Sequence, residues 1–360
     1  MTRDPVVVVG GGTAGCMVTS YLANNTDLPI VLVEPGKVSS HDENSRFFDA
    51  LGDVDLVRTV NGVLQARVLG GGSAINGMLL TGEEPTFARG LTRMAHEDDI
   101  GLMGRFLLSH GGRFSRLWWN GARWNPGRAV HHLEEEGRIS IVRDEVESIQ
   151  VTNNGCTAVT ASHIRINAST LVLCAGALET PRILQQSHQL MHREEAMVQN
   201  HYSVNLVARL TAPSRAPFDT AVVREMQLPT GEMFMVNAYE RASNIVRDHG
   251  LMTVSHMNPR DGRCDVRAME KAKEILEDFA NSLRITEGIE EVVVSDEILP
   301  LSHVTASCAH LTDSDGRVHG VPGVWVADAS VLRQVPTCTP AAPVTMEALR
   351  IAQIIAGELS

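Results

Sequence analysis

The chain has 360 residues, 43% of them hydrophobic and 21% charged, with a formal net charge of −12. That length buries a large core and suits two joined domains, and the composition is that of an ordinary globular protein. The acidic balance argues against a nucleic-acid partner, which wants a basic face, and no apolar run approaches the length of a membrane span.

In chain order, the first element is a strand-like run, Val6–Val9, followed by Gly10-Gly11-Gly12-Thr13-Ala14-Gly15 and a helical segment. Gly10, Gly12 and Gly15 have the G-x-G-x-x-G spacing of a dinucleotide-binding turn. The first glycine allows the tight turn, the second lets backbone approach a pyrophosphate, and the third lets helix pack on strand. The helix N-terminus then points its N–H groups at the phosphates. Glu34 closes the second apolar run, Ile30–Val33, 24 residues after Gly10, where a carboxylate accepts adenosine ribose hydroxyls.

Residues 41–65 read as loop and short helix. A second glycine cluster follows, Arg67-Val68-Leu69-Gly70-Gly71-Gly72-Ser73-Ala74-Ile75-Asn76-Gly77-Met78, suited to backbone passing close to a flat or charged ligand. Residues 79–128 read as irregular, with Trp118, Trp119 and Trp124 either packed beneath that segment or walling a substrate pocket. His131-His132 and Glu134–Glu136 read as a solvated charge run before a turn at Gly137.

Residues 138–175 read as successive strands, with Asn153-Asn154-Gly155 as a hairpin turn. The apolar run Leu171–Cys174 ends in Ala175-Gly176-Ala177, and residues 178–190 read as helical, with the helix expected to start at or near Pro181. Alternating apolar and polar residues over 203–257 predict a separate β-sheet. An amphipathic helix is expected over 266–285, burying Ala268, Ala272, Ile275, Leu276 and Phe279, with a short strand at Glu291–Val294. Near the C-terminus the strand Gly323–Ala327 ends in Asp328-Ala329-Ser330.

Cys16, Cys156, Cys174, Cys264, Cys308 and Cys338 form no C-x-x-C pair and read as reduced thiols, and there is no H-E-x-x-H to suggest a metal. The first strand has no apolar leader before it, so a cytoplasmic location is expected.

Four segments in order resemble the glucose–methanol–choline (GMC) oxidoreductases: the N-terminal glycine turn, the R-V-L-G-G-G-S-A-I-N-G-M cluster, the A-G-A-L-E-T-P segment and the V-A-D-A-S segment. The resemblance implies an α/β architecture, α+β overall, with a Rossmann-like FAD-binding domain and a smaller sheet-plus-helix substrate domain. It places the FAD domain at 1–195 with 301–360 and the substrate domain at 196–300, with parts of 79–130 near the substrate. It implies cofactor contacts at Gly10, Gly12, Thr13, Ala14, Gly15 and Glu34, at Arg67, Gly70, Gly71, Ser73, Asn76 and Gly77, at Val146, at Ala175 and Gly176, and at Asp328 and Ala329. Ile75 stands where members that bond flavin covalently place a His, so non-covalent FAD is expected.

The family oxidises alcohols, a His base taking the hydroxyl proton while hydride passes to flavin. Its H-x-x-x-T-C pattern matches His303-Val304-Thr305-Ala306-Ser307-Cys308, which implies His303 as the base; nearby His310 falls where the family has Met. The second catalytic position, usually Asn or His, aligns with Ala341, which has no side-chain hydrogen bond to offer. Thr337, Thr339 and Thr345 are the nearby candidates to replace it. The chain is also shorter than usual for the family, with trimmed segments after Met78, after Ser187 and between Cys308 and Val318. A shortened lid suits a bulky or carrier-bound alcohol. The leading expectation is an FAD-dependent alcohol dehydrogenase or oxidase acting on a small molecule, with the electron acceptor open. The alternatives are a flavin-binding tailoring or lyase-type relative with altered chemistry, and a nicotinamide-dependent enzyme. The late Asp-Ala-Ser segment and the second glycine cluster argue against the last.

Overall fold

The protein is described from a computed structural model that covers residues 4–39, 43–152, 155–187 and 198–359. The strand Val6–Val9 lies at the centre of a five-stranded parallel sheet, in the order Val324–Val326, Thr170–Leu173, Val6–Val9, Ile30–Val33, Ser140–Val142. Parallel strands are covered on both faces, and here the alternation decides which residue meets which layer. Val6 and Val8 pack with Val18 and Leu22 of the helix Thr13–Asn25 and with Ile351 and Ile355 of the C-terminal helix Ala341–Leu359. Val7 and Val9 face the opposite layer, the three-stranded antiparallel sheet of Val146–Thr152, Gly155–Thr160 and Arg165–Ala168, through Ile149 and Ala158. Every one of these strands ends at the same rim, and that rim carries the glycine turn, Ala175-Gly176 and Asp328.

A second, seven-stranded sheet is antiparallel throughout. It contains Ile289–Val294, Tyr202–Leu210, His249–His256, Met233–Tyr239, Thr220–Gln227 and Arg113–Phe114 in that order, with Leu299–Pro300 added beside Tyr202–Leu210. One face carries Val204, Leu206, Val236, Met252 and Val254 into a core with the helices Leu102–Ser109 and Val266–Leu283. The latter helix starts where Asp265 accepts hydrogen bonds from the N–H groups of Arg267 and Ala268, and it buries all five of its predicted core residues. The opposite face of the sheet presents Met235, Asn237, Tyr239, Thr253 and Ser255 to a cavity.

Several local expectations need correcting. The segment 41–65 holds, besides the helix Phe47–Leu51, a hairpin of Val57–Val60 with Val63–Ala66. The stretch 79–128 is not wholly irregular, since it contributes the helix Leu102–Ser109 and the sheet-edge strand Arg113–Phe114. The His131/His132 run is solvated as expected, on a helix, Gly127–Glu135, that ends before Gly137 at φ +70°. Asn153 and Asn154 lie outside the described residues, as does the chain from His188 to 197, though Thr152 pairs with Gly155 as a hairpin requires.

The helix expected to begin near Pro181 begins at Gly176 and runs to Gln186, with the proline inside it. Proline there leaves the carbonyl four residues earlier without its N–H. The fold supplies another donor: Ser307 Oγ donates to the Ala177 carbonyl at 2.6 Å.

Candidate active site

The two glycine clusters are stitched to each other. Thr13 Oγ1 donates to the Gly70 carbonyl (3.1 Å) and lies 2.8 Å from Ser73 Oγ, while Gly70 N–H donates to the Gly11 carbonyl. Gly10 adopts φ +95°, and a Cβ on Gly15 would lie 1.8 Å from the Gly10 carbonyl oxygen, so the turn and the helix pack as closely as the spacing predicted. Gly70 is likewise a packing residue, pressed against the Asn125 side chain. Gly12, Gly72 and Gly176 are different. A Cβ on any of them would point into open space, with no atom within 4 Å. They border a cradle at the helix N-termini.

Glu34 is buried beside this cradle, its Oε2 accepting from Gly11 N–H and its Oε1 from Gly36 N–H, each at 2.6 Å. Burial pushes its carboxyl above the ordinary range, and the two backbone donors oppose that shift. Each oxygen keeps a lone pair for a further donor. Asp328 ties the rim together: Oδ2 accepts from Gly176 N–H (2.8 Å) and Thr180 Oγ1 (2.7 Å), and Oδ1 from Ser330 N–H (2.8 Å). Asn76 Oδ1 accepts from Met78 N–H and from Arg123 Nη1, both at 3.1 Å.

A cavity of about 530 Å3 joins these parts. Gly10, Gly12, Thr13, Ala14 and Glu34 line it at one end. Arg67, Gly71, Ser73, Asn76 and Gly77 line its length, with Val146, Ala175, Gly176, Asp328 and Ala329. His303 and Ala341 border it together with the polar face of the antiparallel sheet. Of the predicted site residues, only Gly15 and Gly70 lie outside its lining. Its charged lining residues, Glu34, Arg58, Arg67, Asp144, Glu145, Glu179, Arg182 and Asp328, all belong to segments on the glycine-turn side.

His303 is half-buried, and its Nδ1 lies 2.9 Å from Nδ1 of the fully buried His201. Burial lowers the pKa of both rings, and for His303 the neighbouring His201 lowers it further. Both are therefore neutral at pH 7. His310, the weaker candidate, is exposed and outside the cavity. The tryptophans do not wall the pocket. Trp118 stacks on Trp124 with ring centroids 4.5 Å apart and on Phe87 at 5.9 Å, inside the core.

No threonine makes up for Ala341. Thr339 Oγ1 donates to the Leu79 carbonyl (2.9 Å), Thr345 Oγ1 to the Ala341 carbonyl (2.7 Å), and Thr337 is exposed outside the cavity. The polar groups left open come from the sheet instead. Among the described residues, Asn237 Oδ1 and Ser255 Oγ are buried without a hydrogen-bond partner. Sequence reasoning missed both, together with His201. Among the described residues no cluster of three metal-ligating side chains occurs, and no helix is long and apolar enough to cross a membrane.

Comparison with known proteins agrees with this arrangement. The family described as GMC oxidoreductase matches residues 207–348. The chain is thus similar to the GMC oxidoreductases. An uncharacterized GMC-type oxidoreductase from the thcA 5′ region of Rhodococcus erythropolis is 23% identical over 487 aligned positions, which span 98% of each chain. Pyridoxine 4-oxidase from Mesorbium loti has the same fold, with TM-score 0.79 at 14% identity over 98% of this chain and 99% of that one. A variant of formate oxidase from Aspergillus oryzae RIB40 gives TM-score 0.76 at 15% identity over 99% and 98%. GMC oxidoreductases bind FAD, and FAD is the cofactor here. The residues present fit it: the cradle that a Cβ at Gly12, Gly72 or Gly176 would fill adjoins helix N-termini suited to a pyrophosphate, and Glu34 lies beside it with lone pairs to spare.

Proposed function

We propose that this chain is a GMC oxidoreductase that oxidises the CH–OH group of a small-molecule alcohol, with His303 as the general base and FAD held non-covalently. When bound, FAD supplies the acceptor for the carbon-bound hydride. Glu34 takes the adenosine ribose, the backbone of Val146 meets adenine, and the Gly10–Gly15 and Gly70–Gly77 segments take the pyrophosphate and the flavin end with Ala175, Gly176, Asp328 and Ala329. Ile75, buried in the cavity wall, offers no nucleophile for a flavin bond. Residues 1–195 and 301–360 make the FAD portion. Residues 196–300, helped by parts of 79–130, supply the substrate face.

The observation that carries this reading is the single cavity running from Glu34 to His303. His303 is neutral at pH 7, so a lone pair is ready to receive the hydroxyl proton. Ala341 cannot share that task, and the substrate's remaining polar groups meet Asn237 and Ser255 on the opposite wall.

The test is direct. Purified protein is expected to be yellow and to release FAD on denaturation. Anaerobic mixing with benzyl alcohol, pyridoxine or formate then asks which donor bleaches it. Bleaching by an alcohol that disappears in His303→Ala supports the reading. Bleaching unchanged in that variant removes His303 as base, and a colourless protein that cannot be reconstituted with FAD removes the whole reading. The alanine at position 341 favours a second reading, flavin-dependent chemistry without net oxidation. A yellow protein that no alcohol bleaches would point that way.

A further inference from the structure

We infer that His201 is a positioning residue: it holds the His303 ring in the tautomer with its proton on Nδ1, leaving Nε2 bare toward the cavity. The inference rests on the reading of His303 as base, and it concerns a residue from a different part of the chain.

The two histidines are fixed by the backbone beneath them. Gln199 and Thr305 form a bridge with N–H···O bonds in both directions, at 3.1 and 2.9 Å. Leu301 N–H donates to the His201 carbonyl at 2.9 Å. Asn200 sits between the strands. Its Oδ1 accepts from the backbone N–H of His201 (2.9 Å) and of His303 (3.2 Å), and its Nδ2 donates to the Leu301 carbonyl (2.5 Å). The rings meet edge to face, 5.1 Å apart with an 86° angle between planes. This ladder fixes the backbone that carries both rings.

The proton positions follow from what each neighbour can accept. His201 Nε2 lies 3.2 Å from the Met257 carbonyl oxygen, which only accepts, so that nitrogen carries a proton. In a neutral ring the other nitrogen, Nδ1, is then bare. The 2.9 Å contact between the two Nδ1 atoms therefore needs its proton on His303. That leaves His303 Nε2 as the lone pair, on a ring that lines the cavity and whose Nε2 bonds to no protein group among the described residues. The reverse assignment would set a His201 lone pair against the Met257 carbonyl. A cationic His201 would satisfy both contacts, but burial drives its pKa down to about 4, and the nearby His256 lowers it further, against the carbonyls of Met257 and Pro336 that favour the proton. When an alcohol O–H bond breaks and the proton forms the Nε2–H bond, the His303 cation still donates through Nδ1 to His201.

Long-range 1H–15N correlation on the full-length, FAD-loaded protein with 15N-histidine, at pH 7, reads each ring's tautomer. The expected wild-type pattern is protonated Nδ1 and bare Nε2 for His303, and the inverse for His201. His201→Asn keeps an acceptor oxygen where Nδ1 was, while His201→Leu removes it; both lose the bond to Met257, so they differ in the acceptor alone. The asparagine variant is expected to keep the single His303 tautomer and the leucine variant to lose it. A wild-type His303 with bare Nδ1 overturns the inference without any variant. A leucine variant whose His303 pattern is unchanged overturns it too. Failure of the base reading looks different: it appears as bleaching that survives His303→Ala, whatever the spectrum shows.

Discussion

The two halves of this cavity treat their polar groups in opposite ways. On the cofactor side the carboxylates are already held by protein donors: Glu34 accepts from two backbone N–H groups, and Asp328 from two N–H groups and a hydroxyl. On the side proposed for the substrate, Asn237 Oδ1 and Ser255 Oγ are buried with no partner among the described residues, and His303 keeps an open ring nitrogen. The first pattern fixes a shape before anything binds, which suits the preorganised cofactor site proposed for it. The second leaves groups whose desolvation is uncompensated until a ligand arrives, at about 1–3 kcal/mol each. That cost is a reason to expect a substrate that hydrogen-bonds to the sheet rather than one held by shape alone.

The comparison breaks most visibly at His303. His303→Ala should slow flavin reduction by the substrate alcohol by about 10²- to 10⁴-fold, the usual worth of a general base, while FAD content stays at wild type. Loss of FAD along with activity would mean that the two sides are not separable. His201→Leu should slow the same step by about 10- to 100-fold with the half-saturating alcohol concentration unchanged, and His201→Asn should recover most of it. Equal loss in both variants would assign His201 a packing role only.

The cofactor side is tested by two glycines with opposite surroundings. Gly12→Val places carbon where the structure has open space, so the chain should fold normally and bind FAD about 10- to 100-fold more weakly, which is 1–3 kcal/mol of overpacking. Gly15→Val drives its Cβ into the Gly10 carbonyl, so the loss should be of soluble protein rather than of FAD affinity. Fluorescence of released FAD and a thermal melt of the apoprotein separate these outcomes.

Legibility in the sequence followed the same division. The cofactor side was readable because a turn's backbone geometry depends on local spacing: Gly10, Gly15 and Glu34 act within a few turns of each other, and the strands before and after them are strongly apolar. His201 was not readable, because its partner lies 102 residues away and only the fold brings them to 2.9 Å. The alternation of Asn237 and Ser255 along their strands was visible, but not which face of the sheet would turn to the cavity. Ala341 does border the cavity, and the hydroxyls of Thr339 and Thr345 serve nearby carbonyls.

A smaller effect concerns pH. His201 and His303 both have pKa values lowered by burial, and His256 is lowered for the same reason. In the unfolded chain such groups take up protons near pH 6.5. Their contribution to stability is therefore fully present above about 6.5 and is lost as pH falls, for His201 down to its folded value of about 4. The melting temperature should drop across that window, and His201→Asn should flatten the drop. A wild-type melting temperature that does not change between pH 6.5 and 4 would contradict the buried, neutral pair.

The smallest expected effect is the most specific. Pro181 lies within a helix and cannot donate to the Ala177 carbonyl, and Ser307 Oγ takes over that bond from 130 residues away. Ser307→Ala leaves the carbonyl buried and unpaired, which costs about 1–3 kcal/mol, or roughly 1–2 °C per kcal/mol in a chain of this size. Pro181→Ala restores a main-chain donor four residues on, so in that background the same serine change should cost much less. The double-mutant cycle isolates the bond from any general effect of either change, since each single variant disturbs packing but only the pair shares the carbonyl. Additive melting shifts would mean that the serine hydroxyl does not compensate for the proline. A coupling of about 1 kcal/mol or more would show that this hydroxyl ties the segment carrying His303 to the helix at the cavity rim, in addition to the apolar cluster of Val304 with Ala177.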